Sequence, residues 1–351
     1  MIANPQVFED SHLPGKLKHR DGEVDALSAA FKPATFGNRA EDVLLSGPSG
    51  VGKTVLARHT LNRLDRHASV AHSHIQCLGM STTGILREVL RGYPNSPSVH
   101  DNTPRERLEA LARESISRPY VVVLDEADDV PEQDSLSVLT SLPYVSLVVI
   151  CHDPENWLAA VDSDVRGRIS AHVQPDRYTP RELADILEPR AREGLVADVV
   201  SRQQLEELAD SVAGVARQAI QALRAAAELA GERGHDVILD EDIEDSFARS
   251  RRRIREANLA SLPTHHQVLY ELIRGEQTIT ANDLHELYDR MADRLYYDRP
   301  VSPITRRGRR NKLSKLIEYG LIVSSEESPN PTYSIVDKSL PSPLQIEFPT
   351  A

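Results

Sequence analysis

Gly47-Pro48-Ser49-Gly50-Val51-Gly52-Lys53-Thr54 is a run of residue types that can hold a polyphosphate. Glycines let backbone N–H groups converge on phosphate oxygens, and a helix starting there adds its positive end. Lys53 then reaches the terminal phosphates and the Thr54 hydroxyl ligates Mg2+, with Val55 continuing the first turn at the nucleotide. Further on, the apolar stretch Tyr120-Val121-Val122-Val123-Leu124 ends in two carboxylates, Asp125 and Glu126. A strand of this kind in a parallel sheet ends at the same edge as the phosphate loop, where open α/β sheets bind ligands. Asp125 is then placed to hold Mg2+, and Glu126 to orient or deprotonate an attacking water. The expected chemistry is Mg2+-dependent binding and turnover of a nucleoside triphosphate.

A second run carries charge rather than catalysis. Arg306, Arg307, Arg309, Arg310, Lys312 and Lys315 follow one another with no acidic residue before Glu318, in a chain whose formal charge is −12. A protein that binds polyanions through its whole surface is normally basic, so contact with nucleic acid must be local here. Arginine pairs with phosphate or reads guanine edges, and these residues are the candidates for contact with double-stranded DNA. A winged helix with a solvated basic face, used for binding protein, is the alternative reading of the same run.

These residues require particular elements around them. Strands are expected over Asp42 to Ser46, Val70 to Leu78, Tyr120 to Leu124, Leu147 to Cys151 and Ala171 to Val173, alternating with helical patterns. The fold class is therefore α/β with a parallel sheet. Helical spacing alone runs over Pro180 to Glu193, Ser201 to Ala213, Ala216 to Arg233 and Asp240 to Ala260, which marks a small helical domain. From Thr264, two helices precede a third that opens at Ser302 and Pro303, with Ser302 as cap and Ile304, Leu313, Leu316 and Ile317 inward. A hairpin around Pro329 and Pro331 completes a winged helix. The expected divisions are a nucleotide-binding base over 1–176, a helical lid over 177–261 and a winged helix over 262–351.

Composition narrows the class. Hydrophobic residues make up 40% and aromatics 5% of the 351 residues, so the core is expected to be aliphatic. No apolar run approaches the roughly 20 residues a membrane span needs, and the expected location is cytoplasmic, at the nucleoid. Cys77 and Cys151 read as buried thiols. Only seven of 41 basic residues are lysine, and the acidic, arginine-preferring balance fits a high-salt habitat or a GC-rich genome.

Over nearly its whole length the chain resembles the archaeal origin-recognition and cell-division-control initiator family of AAA+ ATPases. The resemblance is carried by Val7-Phe8, His19-Arg20, the phosphate loop, Asp125-Glu126, Asp164-Val165-Arg166-Gly167-Arg168, Tyr178 to Leu187 and Gly214 to Ala219. It implies ATP and ADP as the nucleotides, with Tyr178 packing on adenine and Arg190 closing over the nucleotide. It also implies Arg217 as a lid arginine reaching the γ-phosphate, and Arg166 or Arg168 as the finger completing a neighbour's site. His152 stands where such proteins commonly carry an Asn that senses the γ-phosphate, and Val215 stands where they carry an acidic residue, so slow hydrolysis is expected. The implied partners are double-stranded origin DNA, the replicative helicase and other initiator subunits on DNA, with no membrane. A winged-helix transcriptional regulator and a clamp-loader-like motor are the competing functions.

Overall fold

The computed structural model describes all residues except 69, 131–133, 298, 300, 326–329 and 345–351. Part of the expected hairpin, including Pro329, lies outside the described residues. The chain forms two compact units, Met1–Ser250 and Arg251–Ala351.

In the first unit α1 (Asp21–Phe31), β1 (Asp42–Ser46), α2 (Lys53–Ala68), β2 (Ala71–Gln76), α3 (Thr82–Gly92) and α4 (Arg105–Ser115) lead to β3 (Tyr120–Asp125) and α5 (Asp134–Ser141). Next come β4 (Val145–Cys151), α6 (Pro154–Ala160), α7 (Ser163–Arg168) and β5 (Ile169–Val173). The five strands form one parallel sheet in the order β2-β3-β4-β1-β5. Because strand side chains alternate, Val43, Leu45, Val121, Val123, Val148 and Ile150 pack on α1 and α2. Leu44, Val122, Leu124, Leu147 and Val149 pack on the α3 to α6 side. Both faces of β1, β3 and β4 are covered, which is why these three strands read as continuous apolar runs, while the edge strands β2 and β5 are partly exposed. All carboxyl ends share one edge, so the residues after β1, β3 and β4 must meet there.

Helices α8 (Pro180–Gly194), α9 (Arg202–Asp210) and α10 (Ala216–Arg233) form a lid with its own core. Thr179 caps α8 reciprocally with Glu182, and Ser201 caps α9 with Gln204. Sequence order assigned the first residues to the base, and here the structure differs: Phe8 is fully buried in the lid core. The backbone amides of Ala3 and Asn4 donate to the Gly194 carbonyl at 2.9 and 3.0 Å. Gly194 is required there, since a Cβ would lie 2.5 Å from the Phe8 ring.

The long α11 (Asp240–Ser261) runs into the second unit. There α12 (Thr264–Glu276), β6 (Thr278–Thr280), α13 (Ala281–Leu295), α14 (Arg306–Glu318), β7 (Ile322–Ser324) and β8 (Thr332–Ile335) make three helices and an antiparallel sheet ordered β6-β8-β7. Three details depart from expectation. Helix α14 starts one turn later than Ser302, because Thr305 accepts the Gly308 amide and caps it. Ile317 faces outward at 39% exposure while Leu313 and Leu316 are buried. Strand β6, only three residues long, gave no period to read.

Candidate nucleotide site

The loop from β1 to α2 turns on three glycines in left-handed conformations, Gly47 (φ 137°), Gly50 (φ 78°) and Gly52 (φ 94°). Side chains rarely adopt these angles, so the pattern of glycines is what lets the backbone curl ahead of Lys53, the first residue of α2. Pro48 and Ser49 form the outer rim of this curl and Val51 is buried beneath it, while Val55 is half-buried in the helix. Lys53 is only 7% exposed, and its ammonium donates to the carbonyls of Gly47 at 2.6 Å and Pro48 at 3.0 Å. Burial lowers its pKa, opposed by the negative charges of Glu126 and Asp125.

Asp125 is the hub at the end of β3. One of its oxygens, Oδ2, accepts from the Thr54 hydroxyl at 2.7 Å and stands 2.9 Å from His74 Nε2. Burial acts to raise the Asp125 pKa, but the hydrogen bonds from His74 and Thr54 outweigh it and hold the carboxyl below its usual range. An ionised carboxylate touching the Thr54 hydroxyl beneath a glycine-lined curl is the donor set a hard divalent cation and phosphate require. The residues present thus fit Mg2+ and a nucleotide polyphosphate.

Glu126 follows in a left-handed conformation, φ 56°, and its amide donates back to Asp125 Oδ1 at 3.0 Å. His152, beyond β4, has Nδ1 3.7 Å from Glu126 Oε2 and 3.3 Å from Asp128 Oδ2, and its amide donates to Asp128 at 2.7 Å. Asp128 is held below its usual pKa because these bonds overcome its burial. Burial pushes the neighbouring Cys151 thiol up to about 12, as an inert buried thiol requires. Sequence reasoning missed His74 and Asp128, although a polar residue within or just past a strand of this sheet is the signal that points to them.

The lid meets this edge through the start of α10. A Cβ on Gly50 would lie 2.4 Å from Val215 Cγ1 and 3.8 Å from Arg217 Cβ. Arg217 therefore stems from directly above the phosphate loop, and its guanidinium pairs with Asp10 at 2.8 Å. Tyr178 is 9% exposed and one ring face is covered by the Arg20 guanidinium at 3.8 Å, with Arg20 Nε donating to its hydroxyl at 2.9 Å. The ring is also part of the lid's buried core. Arg190 departs from its expected place over the nucleotide. It is buried and donates to the Val7 carbonyl, because a buried guanidinium must find an acceptor and the N-terminal segment supplies it.

Arg166 and Arg168 separate cleanly. Arg168 pairs with the buried Asp42 at 3.1 Å, while Arg166 is exposed and donates to the carbonyl of Val161, the residue that caps the end of α6, at 3.1 Å. In α14 the basic run also divides. Arg306, Arg307 and Arg310 are exposed, together with Asn311 and Ser314, and Lys312 is half-buried. Arg309 and Lys315 face inward, against expectation. Arg309 donates to the His285 carbonyl at 2.9 Å and Asp289 at 2.5 Å and lies over the Tyr288 ring. The Lys315 ammonium reaches Glu318 at 3.1 Å and sits over Tyr319. Both cations have a polar partner and an aromatic face inside the domain, which offsets their burial.

Family models match an AAA ATPase domain over residues 16–150 and a Cdc6 AAA+ ATPase-type lid domain over residues 184–248. The chain is 30% identical to ORC1-type DNA replication protein 9 of Halobacterium salinarum over 350 residues, covering 98% of this chain and 97% of that one. It is 31% identical to ORC1-type DNA replication protein 1 of the same organism over 293 residues, covering 82% and 95%. Among solved structures it resembles the Aeropyrum pernix ORC1 protein in complex with DNA, with a TM-score of 0.71 at 24% identity over 95% of this chain and 93% of that one. It also resembles the Aeropyrum pernix ORC2 protein solved as ADPNP-ADP complexes, with a TM-score of 0.62 at 22% identity, covering 95% and 94%.

Proposed function

The chain belongs to the family of ORC1-type DNA replication proteins, AAA+ ATPases with a Cdc6-type lid, and from that premise we propose that it is an ATP-switched initiator that recognises double-stranded origin DNA. Its fold is an AAA+ base and lid followed by a winged helix. The observation that carries the DNA reading is the outward face of α14, where Arg306, Arg307 and Arg310 stand exposed in a chain of formal charge −12.

In this reading ATP lies along the phosphate loop, with Lys53 turning from the loop carbonyls to the terminal phosphates. Thr54 and Asp125 hold Mg2+, which when bound offsets phosphate charge. Glu126 orients the attacking water and takes its proton, while His152, steadied by Asp128, donates toward the same region. Tyr178, at the junction of base and lid, packs on adenine. Arg217 brings lid charge to the γ-phosphate, so that lid position follows nucleotide state. Arg166, exposed and bonded to the Val161 carbonyl at the end of α6, is the finger offered to a neighbouring initiator subunit, and Arg168 holds α7 to Asp42. Hydrolysis to ADP and phosphate is slow and resets the switch. The ATP state grips the origin and recruits the replicative helicase.

Binding of the full chain to duplex DNA, followed by fluorescence anisotropy with ATP and with ADP, tests this. Arg306→Ala with Arg310→Ala is expected to weaken binding by at least tenfold, on the basis of about 1–3 kcal/mol for each base-reading arginine. Undiminished binding by that variant would remove α14 from the DNA interface.

A further inference from the structure

The N-terminal segment is fastened to the lid at several points. Gly194 accepts from Ala3 and Asn4, the Met1 carbonyl accepts from Val196 at 2.9 Å, and the Phe8 carbonyl accepts from Gln221 at 2.8 Å. Arg224 pairs with Glu9 at 2.7 Å. The next residue, Asp10, is thereby carried to the start of α10, where its carboxylate meets the Arg217 guanidinium at 2.8 Å. Arg217 leaves α10 where that helix touches Gly50 of the phosphate loop. Burial lowers the pKa of Arg190, the other lid arginine expected near the nucleotide, and the charges of Glu193 and Asp10 oppose that effect.

A carboxylate on a guanidinium uses the same charge and the same fork of N–H donors that a phosphate would. Resting on the reading of Arg217 as the arginine that reaches the γ-phosphate, we propose that Asp10 is a specificity-determining residue which competes with the terminal phosphate of a nucleoside triphosphate for Arg217. A diphosphate lacks the γ-phosphate that would compete for Arg217, so Asp10 lowers affinity for ATP and leaves that for ADP alone. The ion pair is partly solvated, with side-chain exposures of 30% for Arg217 and 56% for Asp10, so it is weak enough to be displaced. The result is a set point: Arg217 changes partner only when a third phosphate arrives. Glu9, one residue earlier, carries the same charge on Arg224 and provides an internal control.

The test is a calorimetric titration of ATP and ADP, with Mg2+ present, into the full chain and into Asp10→Asn, Glu9→Gln, Arg217→Ala and the Asp10→Asn/Arg217→Ala double variant. Asp10→Asn is expected to raise ATP affinity about two- to fivefold, the range for a solvated ion pair, without changing ADP affinity. Glu9→Gln should leave both unchanged, and the gain should vanish when Arg217 is also Ala. An equal gain for ATP and ADP, a gain that persists without Arg217, or no gain overturns the competition. If Arg217→Ala alone leaves the ratio of ATP to ADP affinity unchanged, the γ-phosphate reading of Arg217 falls first and the proposal falls with it.

Discussion

Asp125 accepts from Thr54 and His74 through a single oxygen, at 2.7 and 2.9 Å, and so keeps the other oriented by the Glu126 amide. A side chain that fixes a metal-binding carboxylate in this way typically changes metal affinity 10- to 100-fold when removed. His74→Ala is accordingly expected to raise the Mg2+ concentration needed for half-maximal ATP binding by roughly tenfold, read by titrating Mg2+ at fixed ATP with a fluorescent analogue. An unchanged Mg2+ requirement would show that His74 contributes nothing to the cation site. The phosphate loop and Asp125-Glu126 could be read directly from the sequence because each is a contiguous run whose residue types have one chemistry in common. His74 could not, because its partner lies 51 positions away and the contact depends on β2 and β3 pairing in a particular parallel register. The same holds for Asp128, 24 positions from His152, and for Arg190, whose buried acceptor belongs to the N-terminal segment.

Strands buried on both faces, and helices with a single apolar stripe, were recognisable from their periods alone. The exceptions share a cause. Strand β6 is too short to show a period, the N-terminal segment joins the lid through backbone bonds and contacts to distant residues, Gly194 among them, that carry no local pattern, and the α14 cap is Thr305 rather than the expected Ser302. Within the second unit, helix α12 carries His266 fully buried, and burial, reinforced by the charges of Lys312, His265 and Lys315, lowers its pKa to about 3. Its folded pKa thus lies below the ordinary value of 6.5, so the unfolded chain takes up the proton first as pH falls. The contribution of the neutral imidazole is complete above pH 6.5 and declines as pH falls from there toward 3. Between pH 6.5 and pH 5 this one group is expected to cost about 2 kcal/mol. Hydrogen exchange at the α12 amides measures it: protection should fall over that interval, and His266→Leu should fall by about 2 kcal/mol less. Parallel losses in the two proteins would contradict the assignment.

At the scale of the molecule, 53 acidic residues against 41 basic ones make the chain as a whole repel a polyanion, while α14 presents Arg306, Arg307 and Arg310 outward. Such a distribution disfavours nonspecific binding along a genome and leaves recognition to a small face, which is how an acidic chain can be a DNA-binding protein. Charge arithmetic and the run of arginines made that face visible in the sequence. The separation of Arg306, Arg307 and Arg310 from the inward Arg309 and Lys315 required the helix to be placed against α13. Among the described residues no helix is long and apolar enough to cross a membrane. Genome-wide mapping of the DNA bound by the tagged protein in its own cells, beside a strain carrying Arg306→Ala, Arg307→Ala and Arg310→Ala, tests whether this chain marks where replication begins. The expected result is enrichment at one or a few sites where replication starts, lost in the substituted strain. Binding spread over promoters, or no enrichment above background, would contradict it.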